Sequence, residues 1–282
     1  MPSSPPEEIG SQGLTPVYAL GSDLEERQRL QRQADELREV SAELLDHTGL
    51  GVGGSAIDLG CGPRGILDLL AARVGPGGRV VGLDFDAANV ALARTYAFDN
   101  GLSNVQVMKG DARNTHLPDS SFDVVHARTL LINVPDPAAI VSEMVRLTRR
   151  GGFVAALEPD TTLTVCYPRL EAWERMSRLF GTSVARDGAD EAIGRRLSEL
   201  FWNAGLVDVG IEARMTVYPP GHSRRTVRAD IFRTLRGKIV ARGIADADEL
   251  DEIDRGVRTH LADPHTLIAY TSFMAWGRKP AA

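Results

Sequence analysis

Three carboxylates in this 282-residue chain could converge on one ligand. Asp58, Asp84 and Asp111 each stand at the end of a short apolar run, at residues 55–58, 79–84 and 105–109. An ionised aspartate only accepts hydrogen bonds, so such a set suits amines and hydroxyls. Asp58 leads directly into a glycine turn, Gly60-Cys-Gly-Pro-Arg-Gly65. Glycines let the backbone turn sharply and come close to a ligand, and a helix starting after the turn offers unpaired N–H groups. In this arrangement Asp58 suits a cationic amine, with Gly60, Cys61 and Gly62 as the cradle. Asp84 suits two neighbouring hydroxyls, and Asp111 with the backbone of Ala112 suits the edge of an amino-substituted ring. The same glycines also satisfy the G-x-G-x-x-G spacing of a dinucleotide site, with Asp84 roughly twenty residues further on. A pyrophosphate gains nothing from the anion of Asp58. That weighs against NAD but leaves an NAD-dependent oxidoreductase as the alternative.

These residues need a sheet to hold them together, and the pattern supplies one. Strands are predicted at 55–58, 79–84, 105–109, 122–127 and 153–158, alternating with helices at 65–74, 86–100 and 135–149. Asp86 is the expected cap of the second of these helices, and Pro135 and Gly151-Gly152 bound the third. Such alternation gives an α/β fold, a parallel sheet with helices on both faces, and ligands gather at the carboxyl ends of its strands. A long amphipathic helix over 23–48 precedes the first strand, with Asp23 and Glu26 as a capping box and Gly49 as its stop. After residue 158 one or two helices, broken near Asp187-Gly188, cover 169–204. A strand follows at 207–218, then helices at 224–241 and 247–261 and a last strand at 267–276. Residues 1–16, rich in Pro, Ser and Gly, read as a mobile tail.

The motifs Asp58-Leu-Gly-Cys-Gly-Pro, Val81-Gly-Leu-Asp84, Gly110-Asp-Ala112, Phe122-Asp-Val-Val125 and Arg150-Gly-Gly-Phe-Val154 occur in that order. The chain therefore resembles the class I S-adenosylmethionine-dependent methyltransferases of small molecules, including natural products and lipid- or quinone-like acceptors. The resemblance spans residues 55–160, with Arg64 at the third glycine position of the family turn and Gly65 next to it. It implies a Rossmann-like, mostly parallel seven-stranded sheet whose last strand enters antiparallel. It also implies S-adenosylmethionine as cofactor, with S-adenosylhomocysteine as product. The expected divisions are an N-terminal helical lid at 17–50, a core at 51–221 and 263–282, and a helical cap at 222–262. The ammonium goes to Asp58, the ribose to Asp84 with Phe85 beside it, and the adenine to Asp111 and Ala112. Arg128, just after the fourth strand, is at a position that touches cofactor or shapes the substrate mouth.

Catalytic residues are harder to read, because methyl transfer needs a base only when the acceptor must lose a proton. Tyr18, in Tyr18-Ala-Leu-Gly21, matches a narrower pattern in which the tyrosine helps close the cofactor or substrate site. Asn133 stands where related enzymes place a histidine, and an amide is no base at neutral pH. Glu158, at the end of the fifth strand, is the candidate base or substrate anchor; His126 and His222 are weaker ones. A non-catalytic cofactor-binding protein is a further alternative that the residue at 133 permits.

The formal net charge of −6, with no basic block, argues against a nucleic-acid partner. The arginines at 224, 225, 228, 233 and 236 alternate with apolar residues and read as one face of an amphipathic helix. The two cysteines, Cys61 and Cys166, show no pairing pattern and fit reduced thiols in a cytoplasmic protein. No metal-ligand spacing, signal peptide or membrane-spanning run is present, so no metal and no integral membrane contact are expected. The N-terminal helix could close its own pocket or, in a homodimer, a neighbour's.

Overall fold

The computed structural model describes residues 24–281, with side chains from Arg27 onward. The expected capping box at Asp23, the tail and Tyr18 lie outside the described residues. The chain opens with α1 (Leu24–Glu36) and α2 (Arg38–Asp46), separated at Leu37, whose φ of −101° and ψ of 9° leave the helical region. The single helix expected over 23–48 is thus two. Leu37 is buried at the bend, and α2 sets Leu44 against Ala155, Leu157 and Met274 of the sheet.

There follow β1 (Ser55–Leu59), α3 (Leu67–Val74), β2 (Arg79–Asp84), α4 (Ala87–Asp99), β3 (Val105–Lys109), β4 (Phe122–Arg128), α5 (Pro137–Leu147) and β5 (Thr148–Tyr167). Next come α6 (Glu171–Ala185), α7 (Ile193–Asn203), β6 (Val207–Tyr218), α8 (Val227–Thr234), α9 (Arg236–Ala241), α10 (Ala247–Ala262) and β7 (Leu267–Arg278). The strands form one seven-stranded sheet in the order β3-β2-β1-β4-β5-β7-β6, in which β7 runs antiparallel to both neighbours. This is the topology expected from the sequence.

Alternation along the strands fills two cores. Ile57, Leu59, Val125 and Ala127 face α5 and α7, while Ala56, Val80, Val107 and Val124 face α3 and α4. Each fully buried aliphatic side chain contributes about 1.5–3 kcal/mol. Helix starts follow their caps: Asp86 accepts from Ala88 N at 2.8 Å, and Asp136, ahead of Pro137, accepts from Ala139 N at 3.0 Å.

Two readings change. The fifth strand does not stop at Pro159 but continues past an irregularity between Asp160 and Thr164, because β7 pairs with it as far as Tyr167. The extended β5–β7–β6 arm carries a third core, in which Trp173, Met176 and Phe180 of α6 meet Ala229, Phe232, Ile253 and Val257 of α8 and α10. Helix α6 therefore belongs with the cap helices, ahead of the boundary expected at residue 222, while α7 packs beneath the sheet. The arginine run does not form one helix face: Arg224 and Arg225 precede α8, and Arg233 is exposed while two others are buried. Arg225 and Arg228 are 2% and 6% exposed. Arg225 donates to the carbonyls of Tyr218, Leu261 and Thr266, tying the ends of β6 and α10 to the start of β7.

Candidate cofactor and acceptor site

The glycine turn hangs on the end of β2. The N–H groups of Gly60 and Cys61 both donate to the carbonyl of Leu83, at 2.8 and 3.0 Å, and that of Gly62 donates to Asp84 Oδ2 at 2.8 Å. Gly65, next to Arg64, supplies the left-handed backbone, φ +55°, that a side chain at position 65 would resist. Arg64 instead turns outward: it pairs with Asp35 of α1 and lies 4.8 Å from the Tyr96 ring.

Asp58 differs from the expectation of a ligand carboxylate. It is 2% exposed; Oδ1 meets His126 Nδ1 at 2.7 Å and Oδ2 accepts from Ile66 N at 3.1 Å. It braces the turn from below, because the glycines leave room for its carboxylate against the start of α3. Cys61 contributes backbone to the turn, while its thiol is buried in the core of β1, β2 and α3. Burial, with Asp58 and Asp84 nearby, raises that thiol well above its ordinary range, so it is inert packing.

Asp84 is half-buried and bridges the turn to α4, accepting from Asp86 N at 2.9 Å and Asn89 Nδ2 at 3.3 Å as well as from Gly62. Burial raises its carboxyl, opposed by those N–H donors. Phe85, next to it, is 44% exposed, with Lys109 Nζ 5.9 Å from its ring centroid. The N–H of Gly110 donates to the carbonyl of Asp84 at 3.0 Å and brings the β3 end alongside. There Asp111 pairs with Arg113, whose hydrogen bonds hold the carboxyl below its usual range, and Ala112 is half-buried. Asp84, Phe85 and Asp111 thus gather on neighbouring strand ends.

Arg128 closes β4 on the other side of the turn. It is 8% exposed and donates to Ser41 Oγ at 3.0 Å and the carbonyl of Gly65 at 3.3 Å. Burial lowers it from its ordinary value to about 10; Asp58 resists that, and the neighbouring Arg224 and Arg64 add to it. Helix α1 covers this ground. Leu30 reaches within 3.9 Å of where a Cβ on Gly62 would stand, Arg27 lies 3.9 Å from Asp86, and Gln33 donates to Thr129 Oγ1 at 3.0 Å. The chain's own helix therefore roofs its own turn.

Glu158 is not at the mouth of this site. It is fully buried, and its carboxylate accepts the backbone N–H groups of Leu130, Leu131 and Ile132 at 2.9, 2.9 and 3.2 Å. It caps the 3₁₀ turn Leu131–Asn133, and the expected base or anchor is corrected to a brace. His126 is fully buried on Asp58, and His222 accepts from Arg224 N at 3.1 Å. Asn133 does reach the site: its amide donates to the carbonyl of Thr129 at 2.8 Å, and it lines a cavity.

That cavity, of about 120 Å³, lies between the strand ends, α1 and the cap helices. Thr129 and Asn133 form one side; Phe180, Ile231 and Tyr270 supply an apolar wall; Arg224, Arg228 and Glu191 bring charge. Space of this order admits a ring-sized group. Gln33 belongs to the narrower pattern that begins at Tyr18, but Thr129, Glu191, Arg224 and Arg228 had no individual signal in the sequence. The arginines belonged to a run that reads as a surface face, and the others stand in no motif.

A strand-end cradle under a lid helix, beside a capped cavity on a sheet with this antiparallel seventh strand, defines a Rossmann-like methyltransferase. Comparisons with known proteins agree. Residues 57–156 match the family described as "Methyltransferase domain". A demethylmenaquinone methyltransferase of Geobacillus stearothermophilus is 34% identical over 172 residues, covering 57% of this chain and 74% of that protein. Nocamycin O-methyltransferase of Saccharothrix syringae is 36% identical over 136 residues, covering 48% of this chain and only 47% of that protein. A crystal structure titled a putative methyltransferase from Bacillus halodurans shares the fold with a TM-score of 0.59 at 17% identity, covering 85% of this chain and 98% of that one. The chain belongs to the class I S-adenosylmethionine-dependent methyltransferases and is an enzyme of methyl transfer.

The residues present fit that cofactor. An exposed aromatic face lies beside a half-buried carboxylate at the β2 end. The turn is tight at Gly60, where an added Cβ would stand 3.0 Å from Leu130 Cδ1, and open at Gly62, whose nearest neighbour is Leu30 at 3.9 Å. A buried guanidinium, Arg128, with Arg64 and Arg224 nearby, suits an amino-acid carboxylate.

Proposed function

We propose that this enzyme moves the methyl group of S-adenosylmethionine to a small organic acceptor seated in the cavity between the strand ends and the cap. The observation that carries this reading is the junction at Arg128-Thr129: Arg128 bonds the glycine turn, while Thr129 lines the cavity. Cofactor cradle and cavity thus share a wall. When bound, S-adenosylmethionine supplies a methyl group on a sulfonium that already carries the activating charge and the leaving group.

The chain's own residues orient and enclose. Asp84 receives the ribose hydroxyls, Phe85 flanks the adenine, and Asp111 with the backbone of Ala112 meets its edge. Arg128 takes the carboxylate. Gln33 and Asn133 hold Thr129 from two sides, fixing the wall that separates donor from acceptor. Helix α1 and the cap exclude water from the path. The names of the relatives, which specify demethylmenaquinone and nocamycin, support an organic small molecule for this chain too.

Asp84→Ala is expected to weaken S-adenosylmethionine binding by about 1–3 kcal/mol, the scale of lost hydrogen bonds to a charged group, which is about 5- to 150-fold in Kd. Calorimetric titration of the variant checks this, and unchanged affinity would contradict the ribose assignment.

A further inference from the structure

We infer that the acceptor binds through an anionic oxygen, a carboxylate or an ionised hydroxyl, held by Arg228 with Arg224. This rests on the reading of the cavity as the acceptor site. Two of the charged residues that line the cavity each carry a guanidinium N–H without a partner. Arg228 is 6% exposed; Nη1 donates to the carbonyl of Thr161 at 2.8 Å and Nη2 to Glu191 Oε1 at 3.3 Å, yet its Nε–H is buried without a partner. Arg224 pairs with Glu36 at 3.2 Å, and its Nε–H is likewise buried and unpartnered.

Each carboxylate that lines the cavity already accepts hydrogen bonds through at least one oxygen. Asp160, fully buried, is held by Arg195 and by Thr162. Glu191 Oε1 accepts from Thr161 Oγ1 at 2.8 Å and from Arg228, and its Oε2 packs onto Gly181 of α6. Among the described residues lining the cavity there is no histidine, and burial raises the Tyr270 phenol above its ordinary range. Among the described lining residues, Asp160 and Glu191 are the carboxylates, and each is paired with an arginine. Two guanidinium groups lining one cavity attract an anion, and an oxygen anion is the ligand group that pairs best with them. The aromatic side chains of Phe180 and Tyr270 on the same cavity, with the Arg228 guanidinium 4.8 Å from the Phe180 ring, favour a flat body attached to that oxygen. An acceptor that arrives ionised also needs no base.

The test is a set of paired titrations of the full chain saturated with S-adenosylhomocysteine, at one pH of about 8.5. One pair is 2-hydroxybenzoate and its neutral amide; the other is 4-nitrophenol, ionised at that pH, and 4-nitroanisole. The anion of at least one pair is expected to bind about tenfold or more tighter than its neutral partner. The first pair discriminating identifies a carboxylate, and the second an ionised hydroxyl. Arg228→Gln is expected to abolish the preference while S-adenosylhomocysteine affinity stays within about twofold. Arg224→Gln is expected to reduce it and serves if the first variant does not fold. Equal binding within both pairs, or no binding of any probe while S-adenosylhomocysteine still binds, overturns the inference. Failure of S-adenosylhomocysteine itself to bind would instead overturn the methyltransferase site on which it rests.

Discussion

Gly65→Ala is expected to destabilise the protein by about 3 kcal/mol and to weaken S-adenosylhomocysteine binding with it. Gly65 has φ +55°, where an added Cβ costs about 1–2 kcal/mol. That Cβ would also collide with Asp58 Oδ2 and stand 2.8 Å from the carbonyl of Cys61, a crowding of the kind that costs about 1–3 kcal/mol. Both neighbours belong to the glycine turn, so the strain falls on the turn proposed to hold the cofactor. Gly101→Ala is the matched control. Its φ is +63° and nothing lies within 4 Å of the added atom, so only the backbone penalty applies. Urea unfolding of the two variants, with calorimetry on each, separates the effects. Equal destabilisation by both would mean that the packing of Asp58 beneath the turn is not what makes Gly65 necessary.

Glu158→Ala is expected to cost about 3 kcal/mol or more, because three backbone N–H groups lose their acceptor and each buried unsatisfied group costs about 1–3 kcal/mol. Were Glu158 a base, the variant would lose turnover and keep its stability; the buried cap predicts a lower unfolding midpoint instead. The group also imposes a pH dependence. Burial raises its carboxyl from 4.5 to about 7, net of the three N–H groups that favour the charged form. Between those values the native protein keeps a proton that the unfolded chain has released. Stability is therefore fully present below about pH 4.5 and declines as pH rises through about 7, by about 3 kcal/mol for this group alone. Glu158→Gln is expected to flatten that slope in urea midpoints measured across the window. An unchanged slope would show that the carboxyl titrates normally.

The sheet was legible because its signals are local. Apolar runs ending in Asp58 and Asp84, and caps such as Asp86, follow from residue type and spacing. The antiparallel last strand came from the family resemblance. What spacing does not carry is direction. Asp58 and Glu158 stand at strand ends as expected, yet each carboxylate points into the fold to satisfy N–H groups of an adjacent turn. A strand-end acid looks the same in sequence whether it faces ligand or backbone. The continuation of β5 beyond Pro159 depends on pairing with β7, more than a hundred residues away, which no window of sequence contains. The inward turn of Arg225 and Arg228 depends on carbonyls of β5, β6, α10 and the segment before β7 in the same way. The cavity is built largely from such long-range contacts, which is why Glu191, Arg224 and Arg228 lay in no motif.

The central claim is that the cradle under α1 takes S-adenosylmethionine. Calorimetric titration of the full chain with S-adenosylmethionine and S-adenosylhomocysteine, with NAD as the control, tests it most directly. The account predicts binding of the first two with micromolar affinity, about −8 kcal/mol, and none of NAD. Binding of NAD with neither of the other two would contradict it and require the glycine turn to be reassigned to a dinucleotide.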